Sequence, residues 1–395
     1  MKKIIILIII LLFPISVYAL EYPKLDSKSV EVYDITDKKV LYEKNSNEIS
    51  SIASLTKIAT IITAIENIEN LDQNIIITND ILKTVNKEAS KAGLKAGDQL
   101  TYKDLLYASM LPSGADATNA IAILSSGSIG NFTNKMNNLA GKLGLAKTNF
   151  VNVTGLDETN NYSTADNVTK LLTYALKNPI FKKIYNTKSY TLSNGLTIRS
   201  TLTSNYYNSN YDITKIVGSK TGYTKNAGYC LSSLSNINNH EILIISLKAK
   251  KEDNNFYHII DTVTLINYIE KNYKERILIK KNTHIKNIKV NLSNIDNYEV
   301  KSSSDVTKYL PSDFNKNSFK YKYEGLEKLN FRNKKGEKIG KINYYYDNKI
   351  FYKEDVVLNQ DLKLSIIRVI KKYWYIFIFM IIIYTLYKKI RKKSK

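Results

Sequence analysis

Three short strings in this chain hold residue types that together could carry out acyl transfer. Ser54 stands three positions before Lys57 at the start of an apolar-periodic helix, which puts a hydroxyl nucleophile and an amine base on one helical face. Ser113-Gly114 and Lys220-Thr221-Gly222 follow in that order. A serine hydroxyl is a weak nucleophile, so the reaction needs a nearby base, a fixed orientation and donors for the developing oxyanion. Unpaired backbone N–H groups at a helix start favour such negative charge.

Lys57 must supply or relay the proton abstraction. An ordinary lysine, with a pKa of about 10.4, is neutral in only about one molecule in 2,500 at pH 7. A second cation helps: Lys220 at about 6 Å, across an effective dielectric of about 20, would depress Lys57 by roughly two pKa units. Desolvation is expected to supply the remainder. The same Lys220 gains a second use, gripping a substrate carboxylate together with the Thr221 hydroxyl.

The elements that must hold these residues are legible in the hydrophobic pattern. Residues 30–33 and 40–42, separated by the polar turn 34–39, read as a β-hairpin. A helix opened by Ser54 runs to about residue 69, and 102–110, 116–124, 131–143 and 163–176 are further helices, several bounded by Gly or Pro. Strand signals return at 215–220, 228–234 and 241–249, with a turn at 224–227 between the first two. With the hairpin these make about five strands able to pair antiparallel in one sheet. Residues 255–273 close the unit as a helix. From 276 to 362 the chain alternates short β-rich runs with polar turns, which reads as a separate β domain.

The two ends of the chain predict where this chemistry takes place. Residues 1–19 read as a signal peptide: Lys2 and Lys3, an apolar run from Ile4 to Ile15, and a small-residue cleavage site ending at Ala19. At the other end 373–387 is unbroken apolar and aromatic sequence, with Lys371 and Lys372 before it and six cations among the last eight residues after it. Fifteen helical residues reach about 22 Å against a hydrocarbon core of about 30 Å. Snorkelling lysines and interfacial Tyr and Trp374 can make up the difference, so the segment is expected to span, with the basic tail inside. The expected domains are thus 1–19 signal, 20–273 catalytic, 274–364 β-rich, 365–372 juxtamembrane, 373–387 membrane anchor and 388–395 cytoplasmic tail.

Composition narrows the chemistry further. Cys230 is the single cysteine, so no intramolecular disulfide exists, and its apolar neighbours mark it as a core thiol. The three histidines, His240, His258 and His284, show no metal-ligand spacing, and no metal or cofactor is expected. The net charge of +22 has no nucleic-acid-binding module to go with it. In an exported chain it faces anionic wall polymers and lipid headgroups.

The strings I-A-S-L-T-K-I-A-T, P-S-G-A-D-A and G-S-K-T-G-Y-T-K-N-A-G-Y-C-L resemble those of the penicillin-binding D-alanyl-D-alanine carboxypeptidases, the low-molecular-mass serine class that includes sporulation-associated enzymes. D-L-L-Y at 104–107, N-F-V-N-V-T-G-L-D at 149–157, Y-S-T-A at 162–165 and G-E-K-I-G-K at 336–341 extend the likeness over essentially residues 24–365. The resemblance implies an α+β fold of the serine β-lactamase/transpeptidase type, an antiparallel sheet packed between helices, followed by the small β-rich domain and the membrane helix. It implies Ser54 as acylated nucleophile, Lys57 as its base and Ser113 as proton shuttle to the leaving amine. Lys220 and Thr221 would grip the terminal carboxylate within the Lys220-Thr221-Gly222 string, and the backbone N–H groups of Ser54 and Tyr223 would form the oxyanion hole. The implied substrates are peptidoglycan stem peptides ending in D-Ala-D-Ala, with β-lactams as covalent inhibitors.

Two positions depart from the family pattern. The second motif is commonly S-x-N, whereas here the third position is Ala115; Asp116 or Asn119 could compensate for the missing amide. Where many relatives carry a carboxylate-binding arginine, the register places His258, which reads equally as a helix-surface histidine. Two other functions stay open. A serine β-lactamase would need a water-activating group, for which Glu158 is the one obvious candidate, without a matching E-x-x-x-N because position 162 is tyrosine. A wall-binding protein that has lost turnover is the other, and Ala115 is the reason to consider it.

Overall fold

Five strands gather around the buried run 242–247. In the computed structural model, which describes residues 22–206, 211–252 and 255–393, the chain divides into two compact units, Glu21–Asn272 and a second beginning at Tyr273. The expected signal, 1–19, lies outside the described residues. In the first unit β1 (Ser29–Asp34), β2 (Lys39–Lys44), β3 (Ile216–Thr224), β4 (Gly228–Ile237) and β5 (His240–Ala249) form one antiparallel sheet in the order β2-β1-β5-β4-β3. Successive side chains of a strand point to opposite faces, and 242–247 of β5 are buried without alternation, so both faces of the sheet are covered. Helix α7 (Tyr257–Asn272) packs on β4 and β5, and α5 (Ala165–Ala175) on β1 and β5.

The helices start where polar side chains satisfy their free N–H groups. Thr101 and Asp104 make a reciprocal capping box for α2 (Tyr102–Met110). Ser128 caps α4 (Ile129–Lys142), Thr164 caps α5, and Asn178 with Pro179 opens α6 (Pro179–Asn186). Helix α1 (Thr56–Asn67) is buried all round from Thr56 to Ala64, at the centre of the core. The structure corrects one detail of its start: Ser54 does not open α1 but sits in the preceding 3-10 turn, Ala53–Leu55. Helix α3 (Ala115–Ser126) ends at Gly127 in the left-handed conformation, φ 76°.

The second unit is built from short strands, chiefly in antiparallel pairs. Strand His284–Asn291 takes Asn297–Lys301 antiparallel on one side and Lys328–Asn330 parallel on the other, while Lys338–Tyr346 lies between Phe319–Gly325 and Lys349–Val357. Ile288, Val300, Leu329, Ile342 and Tyr344 form its core.

The C-terminal segment is one helix, Ile366–Lys393, interrupted at Tyr373 (φ −117°, ψ 15°). The expected membrane span at 373–387 is therefore helical, but no helix among the described residues is long and apolar enough to cross a membrane. The physical reason is in its composition. Tyr373, Trp374, Tyr375, Tyr384, Thr385 and Tyr387 dilute a short run, and lysines close in on both sides.

One like-charge contact is built into the sheet. Glu31 of β1 lies directly opposite Glu43 of β2, with Asp166 nearby, and burial together with these carboxylates raises its pKa from 4.5 to about 7. An acid whose folded pKa is raised is destabilising once ionised, so the cost is absent below about pH 4.5, grows toward pH 7 and is then constant. Discounted for partial solvent screening, it amounts to about 2 kcal/mol. Glu31→Gln is expected to leave the urea midpoint unchanged at pH 4 and to raise stability by about that amount at pH 8. Equal effects at both pH values would refute the assignment.

Candidate active site

Lys57 is buried in the first turn of α1, and its ammonium has two partners. Nζ lies 3.0 Å from Ser54 Oγ and donates to the carbonyl of Thr154 at 2.7 Å. Ser54 Oγ is itself 3.5 Å from that carbonyl. Burial pushes the Lys57 amine from 10.5 down to about 7, and Asp116 opposes the shift. Of the two expected causes, the charge of Lys220 and desolvation, it is desolvation that lowers Lys57, and the repulsion between the two lysines falls on Lys220. Lys220, equally buried, is pushed well below its usual value by desolvation first and by Lys57 second. Its Nζ donates to the carbonyl of Thr221 at 2.8 Å.

The Thr154 carbonyl belongs to a loop that the sequence reading connected with the family but to which it gave no role. Asn152 Oδ1 accepts from the N–H groups of Thr154 and Gly155, at 3.2 and 2.7 Å. Its Nδ2 donates to the Leu156 carbonyl and to Glu158 Oε2. Asp157 then ties the loop to the end of β3, accepting from Thr224 Oγ1 at 2.6 Å and from the N–H of Asn226 at 3.0 Å. Glu158, the candidate water-activating group, is thus engaged with Asn152.

Ser113 ends the loop before α3 in the left-handed region, φ 64°, and its hydroxyl is buried with no hydrogen-bond partner. Ala53, immediately before Ser54, is left-handed too, at φ 47°. Such conformations are uncommon for residues other than glycine and collect at functional sites. Neither expected substitute for the missing amide reaches Ser113. Asp116 accepts from the N–H groups of Ala92, Gly93 and Leu94, at 2.8, 3.0 and 3.1 Å. Asn119 donates to the carbonyl and hydroxyl of Thr84. Ala115 is fully buried, and its N–H donates to the Ser90 carbonyl at 2.7 Å.

Strand β3 brings the third string against the first. A Cβ on Gly222 would lie 2.9 Å from the Ser54 nitrogen, so only glycine lets the two backbones approach this closely. Thr221 Oγ1 shares a 2.6 Å hydrogen bond with Thr201 Oγ1, and Tyr223 is exposed at the edge. Ser54, Ser113, Thr221, Gly222 and Tyr223 line one cleft of about 250 Å³, and Glu88, Ser90, Thr201, Tyr229 and His258 complete it. His258 is not on the helix surface. It is buried, stacks on Tyr229 with centroids 5.1 Å apart, and is held neutral by desolvation, its pKa lowered to about 3. Every site residue expected from sequence therefore meets in this region, while Asn152, Thr154, Asp157, Thr201 and Glu88 come only from the fold.

Elsewhere in this unit, Asp34, Asp37 and His240 bring ligand-type atoms within 4.8 Å of one another. His240 Nδ1 is 2.9 Å from Asp34 Oδ2, and Lys39 pairs with Asp37 at 3.1 Å. Basic side chains of the protein thus already face both carboxylates.

A serine hydroxyl beside a desolvated amine, opening on a cleft at the edge of an antiparallel sheet, is an arrangement suited to acyl transfer. The chain belongs to the D-alanyl-D-alanine carboxypeptidase family, peptidase S11, whose profile matches residues 16–251, and residues 273–364 match the C-terminal domain of penicillin-binding protein 5. It is 28% identical over 347 residues to the D-alanyl-D-alanine carboxypeptidase DacF of Bacillus subtilis, covering 86% of each chain. A D-alanyl-D-alanine carboxypeptidase of Streptomyces is 36% identical over 157 residues, 37% of this chain and 54% of that one. The crystal structure of the Streptomyces K15 DD-transpeptidase matches with a TM-score of 0.56 at 28% identity, over 63% of this chain and 98% of that one. Penicillin-binding protein 5 of Haemophilus influenzae shares the fold, with a TM-score of 0.62 at 24% identity over 87% and 100% of the two chains.

Gly155 tests how tightly the loop is seated. Its φ is +83°, and a Cβ there would lie 1.9 Å from the Ala53 carbonyl oxygen. Gly155→Ala is expected to destabilise the protein by about 3 kcal/mol or more in urea unfolding, and to slow Ser54 acylation in the fraction that folds. A wild-type unfolding midpoint and acylation rate would contradict this geometry.

Proposed function

We propose that this protein removes the terminal D-alanine from peptidoglycan stem peptides through an acyl-enzyme on Ser54. The observation that carries the proposal is the Lys57 amine, 3.0 Å from the Ser54 hydroxyl and with a pKa lowered to about 7. In its neutral form one N–H donates to the Thr154 carbonyl, which leaves the lone pair for the Ser54 proton. Ser54 Oγ attacks the carbonyl carbon of the D-Ala–D-Ala bond, Lys57 takes the proton, and the backbone N–H groups of Ser54 and Tyr223 hold the oxyanion. The bond to nitrogen breaks as the Ser113 hydroxyl passes a proton to the departing amine and receives in its place the one held by the Lys57 ammonium; the neutral Lys57 then accepts a proton from water as it hydrolyses the ester, and returns it to Ser54 Oγ. Lys220 and Thr221 bind the free carboxylate of the terminal residue, an anion that favours the charged form of a buried lysine. His258, neutral and stacked, forms the wall of that subsite and supplies no charge to it.

Such an activity outside the cytoplasm lowers the supply of pentapeptide donors for cross-linking, and β-lactams would trap the same serine. In this reading residues 1–19 direct export, and the helix Ile366–Lys393, whose apolar side chains from Ile366 to Ile390 are largely exposed, holds the protein to lipid. The β-rich unit acts as a spacer. The full chain is expected to co-sediment with anionic vesicles and a chain ending at residue 364 to remain in the supernatant; equal partitioning would remove the anchor from the proposal.

Mass spectrometry after incubation with penicillin, and D-alanine release from a pentapeptide, test the central claim. A stable adduct on Ser54, absent in Ser54→Ala, is expected together with D-alanine release. Because Lys57 must be neutral, acylation should fall about tenfold per pH unit below about 7 and level off above it. Rapid penicillin turnover would point to a β-lactamase. A folded protein with neither adduct nor release would be a wall-binding protein whose active site has lapsed.

A further inference from the structure

Glu88 brings a formal negative charge to a cleft wall that is otherwise neutral. The other lining side chains are hydroxyls of Ser54, Ser90, Ser113, Thr201 and Thr221, the phenols of Tyr223 and Tyr229, and the neutral ring of His258. Lys87 and Lys91 flank Glu88 in sequence, but neither lines the cleft. The Glu88 carboxylate makes no ion pair among the described residues. In a chain of net charge +22, such a group is free to serve a ligand.

The loop that presents it is braced directly onto the catalytic strings. Asn86 accepts from the N–H of Glu88 through its side chain at 2.9 Å and from that of Ala89 through its carbonyl at 3.1 Å. The Ser90 carbonyl accepts from Ala115, and the next backbone N–H groups end on Asp116. Asp116 and Ala115 follow Ser113 within three residues, so the Glu88 wall moves with the second motif. A carboxylate here repels the anionic end of a substrate, which Lys220 and Thr221 take. It attracts instead a cationic group elsewhere on the peptide.

The geometry points to Glu88 as a specificity-determining residue that pairs with a cationic side chain just upstream of the D-Ala-D-Ala unit. The favoured substrates are stem peptides whose diamino acid keeps a free amino group, over those in which that amine is acylated. This inference rests on the carboxypeptidase reading above. A partly exposed ion pair of this kind is expected to be worth about fivefold in kcat/KM.

The test compares D-alanine release from Nα-acetyl-L-Lys-D-Ala-D-Ala and from its Nα,Nε-diacetyl counterpart, using the full chain in detergent. The wild type should favour the free amine by about fivefold at an ionic strength of about 0.05 M, and by less at about 0.5 M. Glu88→Gln should abolish the preference by lowering release from the free-amine peptide to that from the diacetyl peptide, and Glu88→Lys should reverse it. An unchanged ratio in Glu88→Gln overturns the inference, as does an equal loss on both peptides, which would place Glu88 in the chemistry instead. Failure of the parent reading shows separately, as no release from either peptide by the wild type, and overturns this inference with it.

Discussion

Keeping one lysine amine out of water is the constraint on which the rest of this site depends. Lowering Lys57 from 10.5 to about 7 corresponds to a free energy on the order of 5 kcal/mol, disfavouring its charged form. The protein holds it there because α1 lies at the centre of the core, with Ile58, Ile61 and Ile62 fully buried around the same helix. The amine cannot leave without α1 leaving. What would be a defect elsewhere becomes a base near neutral pH, matched to abstracting a hydroxyl proton.

A buried amine also needs a partner that neither quenches it nor lets it turn. The Thr154 carbonyl meets this requirement, being an acceptor without charge, and the loop that carries it is over-determined. Asn152 holds its curve, Gly155 permits contact with the Ala53 carbonyl, and Asp157 secures it to the β3–β4 turn. Helix start, loop and strand are thereby locked into one register. The two left-handed residues, Ala53 and Ser113, sit within this frame, which bears the strain of presenting both hydroxyls to the cleft.

The second motif shows how the same frame absorbs a substitution. With alanine at position 115 no amide reaches the cleft, and the neighbouring polar side chains are not spare. Asp116 binds three consecutive N–H groups of the loop bearing Ser90, and Asn119 holds Thr84. Ala115 itself is fully buried, with its N–H held by the Ser90 carbonyl. The cleft keeps its polarity through hydroxyls, and its charge through Glu88.

Much of this was legible along the chain, because local signals are strong where one side chain decides. Capping residues and apolar periodicity located α2, and α3 to within two residues of its ends, and apolar runs bounded by polar turns located all five sheet strands, with β3 and β4 running four and three residues past the expected ends. The order of Ser54-x-x-Lys57, Ser113-Gly114 and Lys220-Thr221-Gly222, with its resemblance to the carboxypeptidases, pointed to serine acyl transfer before any geometry. Burial was legible only in part, as at Cys230 in its apolar run, since it is a property of what surrounds a residue. Desolvation of Lys57, the stacking of His258 under Tyr229 and the commitment of Asp116 and Asn119 depend on elements far apart in sequence. The short run at 373–387 shows the same limit from the other side: its apolar character was plain, but its aromatic hydroxyls and flanking lysines leave it short of a membrane span. Residue types and their order were set by the sequence alone, while the protonation state of the base and the charge lining the cleft were decided by tertiary packing, because electrostatic free energy depends on distance and solvent access.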